Sequence, residues 1–216
     1  MLFGKIEYLN LLPFHIFMKR FAPSQAKMSM EYKKGVPAKI NYAFKTRRVD
    51  AAFISSIEAK KYHNVNLGII AKKEVQSVLV IPKKTSKKDK ESATSNVLVN
   101  VLGLEGEVLI GDKALRYALK NDDYIDLAKV WNERYQLPFV FAVLAFHKDQ
   151  NLYKKIEKNF VRKKVRIPQY LLEKAAKQVG IEKNEALAYL ELISYDLDTK
   201  AQKGLKKFYK EALKVK

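Results

Sequence analysis

The chain has 216 residues, enough for one large domain or two small lobes, and 48% of them are hydrophobic, enough to bury a core. Glycine and proline number only 8 and 6 and cysteine is absent, which excludes collagen-like and low-complexity chains, disulfide frameworks and thiolate metal sites. Lysine and arginine outnumber aspartate and glutamate 42 to 23, but the lysines are dispersed and no helix-turn-helix, zinc-finger or aromatic RNA-binding signature accompanies them. The charge of +19 therefore reads as solvated faces whose field steers a small anion, with no nucleic-acid partner and no membrane partner expected. Met1-Leu2-Phe3-Gly4-Lys5-Ile6 carries no basic-then-apolar leader and no apolar run has bilayer length, so a cytoplasmic protein is expected.

The first half alternates strands and helices. A strand is predicted over Leu2–Tyr8 and a helix over Pro13–Phe21, then a strand over Met28–Tyr32. Pro37 opens a helix with Ile40 and Phe44 one turn apart. Strands follow at Val49–Ile54 and Asn66–Ala71. This βαβα order predicts an open, mostly parallel sheet with helices on its faces.

Ser77–Pro82 is strongly β-like and leads into the lysine-rich loop Lys83–Lys90. A helix (Asn96–Leu102), a strand (Glu107–Ile110), a helix (Lys113–Asn121), a short strand (Tyr124–Leu127) and a helix to Tyr135 come next. Leu137–Phe146 is the most apolar stretch and reads as a buried strand. Two long β-like stretches around a small α/β unit suggest a chain that crosses twice between lobes. The expected division is a larger lobe of 1–80 plus 147–216 and a smaller lobe of 81–146, with crossover strands at 77–82 and 138–146. The remainder reads as helical: Leu152–Val161, a helix opened by Pro168, one capped by Asn184, and one capped by Asp198 with Ala201, Leu205, Phe208 and Ala212 as its stripe.

In open α/β sheets ligands bind beyond the carboxyl ends of the strands. Asn10, Ser55, Ser56, Gly111 and Asp112 fall at such ends, and Thr94 and Ser95 open a helix whose free N–H groups suit a carboxylate. Each also reads as a turn or cap residue. The histidines, His15, His63 and His147, lack ligand spacing, so no metal is expected, and no cofactor motif is present. His147, following the apolar strand, is the one histidine to test as a base, and a surface role suits it better. Spacing alone thus ends at a two-lobed α/β binder of something small.

Particular words carry more. Gly4-Lys5-Ile6-Glu7-Tyr8-Leu9-Asn10 with Leu12-Pro13-Phe14, Val49 through Ser56, Glu74-Val75-Gln76-Ser77-Val78-Leu79, Leu109-Ile110-Gly111-Asp112-Lys113-Ala114-Leu115, Asp126-Leu127, Trp131 and Leu137-Pro138-Phe139-Val140-Phe141-Ala142 together resemble the chorismate dehydratase family of the futalosine route to menaquinone. The resemblance implies an α/β, two-lobed fold like the type II periplasmic binding proteins, with a ligand cleft between lobes. It implies loss of water from chorismate to give 3-[(1-carboxyvinyl)oxy]benzoate, without a cofactor. Asn10 and Ser77 match the family's catalytic cleft residues. Ser55, Ser56, Thr94 and Ser95 would hold carboxylates, Gly111 would admit the ligand to the backbone, and Asp112 would fix that turn. Family members are usually longer, and the stretch between Ser77 and Gly111 reads as shortened. The sibling enzyme forming 1,4-dihydroxy-6-naphthoate and a non-catalytic solute-binding protein of the same fold are the alternatives.

Overall fold

The computed structural model describes residues 1–21, 31–82, 84–163 and 165–215. In chain order the strands are β1 (Leu2–Lys5), β2 (Glu31–Lys34), β3 (Ala51–Ser55), β4 (His63–Ala71), β5 (Val78–Ile81), β6 (Glu107–Ile110), β7 (Ile125–Asp126), β8 (Phe139–Phe146) and β9 (Ile193–Asp196). They form a six-stranded sheet, β2-β1-β3-β8-β4-β9, and a three-stranded sheet, β6-β5-β7.

The larger sheet is mixed, which corrects the expectation of a mostly parallel one. β1 pairs in parallel with β2 and β3. β8 then enters between β3 and β4 and runs antiparallel to both, with Ala51 opposite Phe146 and Ser55 opposite Ala142. Its unbroken apolar run suits a central strand covered on both faces, a property that does not encode direction. β8 lies along its whole length in this sheet, whereas the smaller, antiparallel sheet ends at Asp126.

Local chemistry sets most boundaries. Pro37 stands in the first turn of helix Pro37–Lys45, where its missing N–H costs nothing. Asp198 caps helix Thr199–Ala212 by accepting the Ala201 N–H at 2.8 Å, and Ala201, Phe208 and Ala212 are buried as expected. Helix Lys183–Glu191 is capped instead by Glu182, in a reciprocal capping box with Glu185; Asn184 lies inside it. The segment after this helix is not helical: β9 adds an edge strand to β4. Leu190 and Ile193 have helical spacing, and this masks a four-residue strand in the sequence. Residues 28–30 of the expected second strand lie outside the described residues, as does Lys83 of the lysine-rich loop; β2 begins at Glu31.

Aromatic packing closes the core under both sheets. Phe14 meets Phe53 and Phe160 edge-on at 4.9 and 5.3 Å. Trp131, fully buried, stands against Phe139 and Phe208. Helix Thr199–Ala212 approaches β8 so closely that a Cβ on Gly204 would lie 2.1 Å from the Pro138 carbonyl oxygen. These contacts hold the carboxyl ends of β1 and β3 opposite the smaller sheet, and the candidate site opens between them.

Candidate functional site

A cavity of about 80 Å³ lies at this junction. Asn10, Ser55, Ser77, Ser95 and Gly111 line it together with Tyr8 and Ser92, while Ile6, Phe53, Ile69 and Phe141 supply apolar walls. Among the described lining residues there is no carboxylate, imidazole, amine or guanidinium. Chemistry in this cavity therefore falls to hydroxyls, one carboxamide and the ligand itself.

The hydroxyls are poised as donors. The Ser55 N–H donates to Asn41 Oδ1 at 3.1 Å, which fixes the amide so that Asn41 Nδ2 donates to Ser55 Oγ at 2.8 Å. Ser92 Oγ accepts the Ser95 N–H at 3.1 Å and donates to Ser95 Oγ at 2.8 Å. The buried Tyr189 hydroxyl donates to Ser77 Oγ at 2.9 Å. Each of Ser55, Ser77 and Ser95 thus accepts from a neighbour and retains its own proton to donate. Three such protons around an apolar pocket suit an anion from which water is excluded.

Asn10 sits in the 3₁₀ turn Leu9–Leu11 just beyond β1. Asp112 Oδ1 accepts the Leu9 N–H at 3.1 Å, and the Tyr195 hydroxyl donates to the Asn10 carbonyl at 2.7 Å. Ser77 is held with equal care. Asp126 Oδ2 accepts the N–H groups of Val75 and Gln76 at 2.9 and 2.6 Å, and Gln76 adopts a left-handed φ of 56° to turn the chain into β5. Burial raises the Asp126 carboxyl above its ordinary range, opposed by its four backbone N–H partners.

Three of the expected site residues stand outside the lining. Ser56 and Thr94 are buried behind it, their hydroxyls 3.3 Å apart, and Thr94 Oγ1 also accepts the Ile57 N–H at 3.3 Å. They tie helix Ser56–Ala59 to helix Ala93–Leu102. Asp112 faces a neighbouring cavity beside His15, and burial raises its carboxyl. Asp112 is expected to fix the Gly111 turn that carries it; its carboxylate instead accepts the Leu9 N–H of the Asn10 turn. His147 is far from the cavity, stacked on Phe44 at 4.1 Å with Nε2 2.8 Å from the Phe44 carbonyl oxygen, at the opposite end of β8 from Phe141.

Sequence reasoning missed Asn41, Tyr189 and Tyr195, which occupy ordinary helical and strand positions. It also passed over Tyr8 as a site residue. The Tyr8 hydroxyl donates to Glu91 at 2.6 Å, and burial followed by this carboxylate pushes its phenol far above the usual range. The ring packs on Gly111, whose φ is +66° and whose added Cβ would lie 2.6 Å from two ring carbons. Gly111→Ala is expected to displace Tyr8, break the Glu91 contact and lower kcat/KM at least about tenfold; steady-state kinetics on the folded variant checks this.

His15 lies beneath the Asn10 turn and bonds the Ile6 carbonyl oxygen at 2.9 Å, so the neutral ring carries its proton on Nε2. Burial, outweighing that bond, lowers its pKa to about 4. The unfolded chain therefore takes up this proton first as pH falls. Stability is full above the ordinary histidine pKa and is lost as pH drops towards 4, by on the order of 3 kcal/mol. Urea denaturation at pH 7.5 and 4.5 should show a smaller difference in His15→Gln than in the unsubstituted protein.

Comparison with solved structures defines the class. The fold matches a protein from Archaeoglobus fulgidus with a TM-score of 0.73 at 13% identity, covering 99% of this chain and 96% of that one. It also matches a Candida albicans protein with the generic periplasmic binding protein fold (TM-score 0.57, 12% identity, 98% and 89% covered) and the periplasmic aliphatic sulphonate binding protein of Escherichia coli (0.52, 14%, 99% and 87%). The molecule thus has a two-lobed α/β fold like that of the periplasmic binding proteins. A family model described as menaquinone biosynthesis matches residues 1–107 and 102–214, and the chain belongs to that family. Over 215 residues it is 48% identical to a chorismate dehydratase of Campylobacter jejuni, covering 97% of this chain and 96% of the relative. The two chains thus match over nearly their full lengths.

Proposed function

We propose that this chain is a chorismate dehydratase, a hydro-lyase that removes water from chorismate to give 3-[(1-carboxyvinyl)oxy]benzoate in menaquinone biosynthesis. The observation that carries the reading is the 48% identity to a chorismate dehydratase across 97% of the chain. The donor-rich, uncharged cavity supports it, because chorismate is a small dianion with an apolar ring.

The reaction needs little from the protein beyond orientation and charge stabilisation. The hydrogen to be lost sits on the ring carbon that bears the enolpyruvyl ether, flanked by unsaturation. The electron pair left behind delocalises towards the ring carboxylate. Departure of the neighbouring hydroxyl then completes an aromatic ring. Ser55 and Ser95 donate to the carboxylates, Asn10 orients the ring, and Ser77 donates to the departing oxygen. With no lining group able to act as an ordinary base, the substrate's own enolpyruvyl carboxylate takes the proton. Ser56, Thr94 and Asp112 act from behind the lining, by fixing the elements that carry Ser55, Ser95 and the Asn10 turn.

The same reading places a larger lobe on the six-stranded sheet and a smaller lobe on the three-stranded sheet, the chain passing between them at 77–82 and again before β8. It also places the enzyme in the cytoplasm, where a cysteine-free chain is at home. Among the described residues no helix is long and apolar enough to cross a membrane. The test is an ultraviolet time course of purified protein with chorismate. Loss of the diene band with growth of a benzoate band supports the dehydratase. Chorismate bound but unchanged indicates a solute-binding protein, and neither binding nor turnover points to the sibling enzyme.

A further inference from the structure

The last third of the chain reaches the site through one hydroxyl. Tyr189, in helix Lys183–Glu191, is 2% exposed, and burial pushes its phenol far above the usual range, so it keeps its proton. That proton goes to Ser77 Oγ at 2.9 Å. Because Ser77 Oγ accepts that proton, its own hydrogen is left to point into the cavity that Ser77 lines. Tyr195, from the strand that follows, holds the Asn10 carbonyl at 2.7 Å.

We infer that Tyr189 is a positioning residue for the dehydration: by occupying a Ser77 lone pair it aims the Ser77 proton at the departing hydroxyl of the substrate. Without that bond the Ser77 hydroxyl rotates freely, and its proton turns as readily to the protein as to the substrate. Tyr189 itself does not line the cavity. The inference rests on the dehydratase reading, and the unsubstituted protein separates the two: if it fails to turn over chorismate, the reading falls before Tyr189 is in question.

The test is Tyr189→Phe, which keeps the ring and removes the oxygen. The expected result is a fall in kcat of roughly ten- to a hundredfold, with KM within about twofold and an unchanged far-ultraviolet circular dichroism spectrum. A double-mutant cycle supplies the readout that packing would not move. Under single-turnover conditions with enzyme in excess, Ser77→Ala carrying Tyr189→Phe should convert chorismate no more slowly than Ser77→Ala alone. Unchanged kcat in Tyr189→Phe, or a full additional loss in the Ser77→Ala background, would overturn the inference. Should Tyr189→Phe not fold, 3-fluorotyrosine placed at 189 keeps the packing and alters the donor: kcat should move while KM holds, and a kcat equal to that of the unsubstituted protein overturns the inference equally.

Discussion

Asn10→Ala is expected to lower kcat on chorismate at least about a hundredfold while leaving the thermal midpoint within a few degrees. The turn that carries Asn10 does not depend on its side chain. It is closed by the Leu11 N–H to the Tyr8 carbonyl at 3.0 Å, by Asp112 on the Leu9 N–H and by Tyr195 on the Asn10 carbonyl. The carboxamide is the only side-chain amide lining the cavity among the described residues, so no neighbour replaces it. The orientation of the ring is lost with it. Stopped-flow or steady-state kinetics, with circular dichroism on the same sample, checks the result. A variant that turns over at the full rate would remove Asn10 from the mechanism.

The largest loss of stability is expected at a residue that never meets the ligand. Asp126 is buried and serves four backbone N–H groups: Val75 and Gln76 through one oxygen, Ala128 and Lys129 through the other, at 2.9 and 3.1 Å. One carboxylate therefore caps helix Leu127–Tyr135 and pins the segment that delivers Ser77. Asp126→Ala removes a cap worth about 1 kcal/mol and leaves the buried Val75 N–H unpaired at about 1–3 kcal/mol more. A total of about 3 kcal/mol is expected by urea denaturation, a large share of the stability of a domain of this size. Asp126→Asn keeps one acceptor oxygen and should lose less. Equal stability of Asp126→Ala and the unsubstituted protein would show that other contacts hold the 75–77 turn.

Much of the architecture was legible because short-range rules operate where the core demands them. Pro37 with Ile40 and Phe44 marked a helix, and Glu107–Ile110 marked a strand with the bounds the structure shows. Strand direction was not legible: β8 is apolar on both faces, and such a run pairs in either sense. β9 was hidden by the spacing of Leu190 and Ile193. In the site, the carboxyl-end rule found Asn10, Ser55 and Gly111, and the family resemblance supplied Ser77. It could not separate sequence neighbours. Ser55 and Ser56 face different ways at a strand end, and Thr94 and Ser95 are about 100° apart around a helix. One of each pair lines the cavity; the other braces it from behind. Asn41, Tyr189 and Tyr195 gave no local signal, because a side chain that orients a hydroxyl from another element is recognisable only once the elements are packed.

The central claim is that this cavity, through Asn10 and Ser77, dehydrates chorismate. The most direct measurement is chromatography and mass analysis of chorismate incubated with the purified protein and, side by side, with the folded Asn10→Ala and Ser77→Ala variants. The unsubstituted protein should yield the enolpyruvyl-oxybenzoate, one water lighter than chorismate, and the variants should yield little of it. Chorismate recovered unchanged from the folded protein, or full conversion by both variants, would contradict the account.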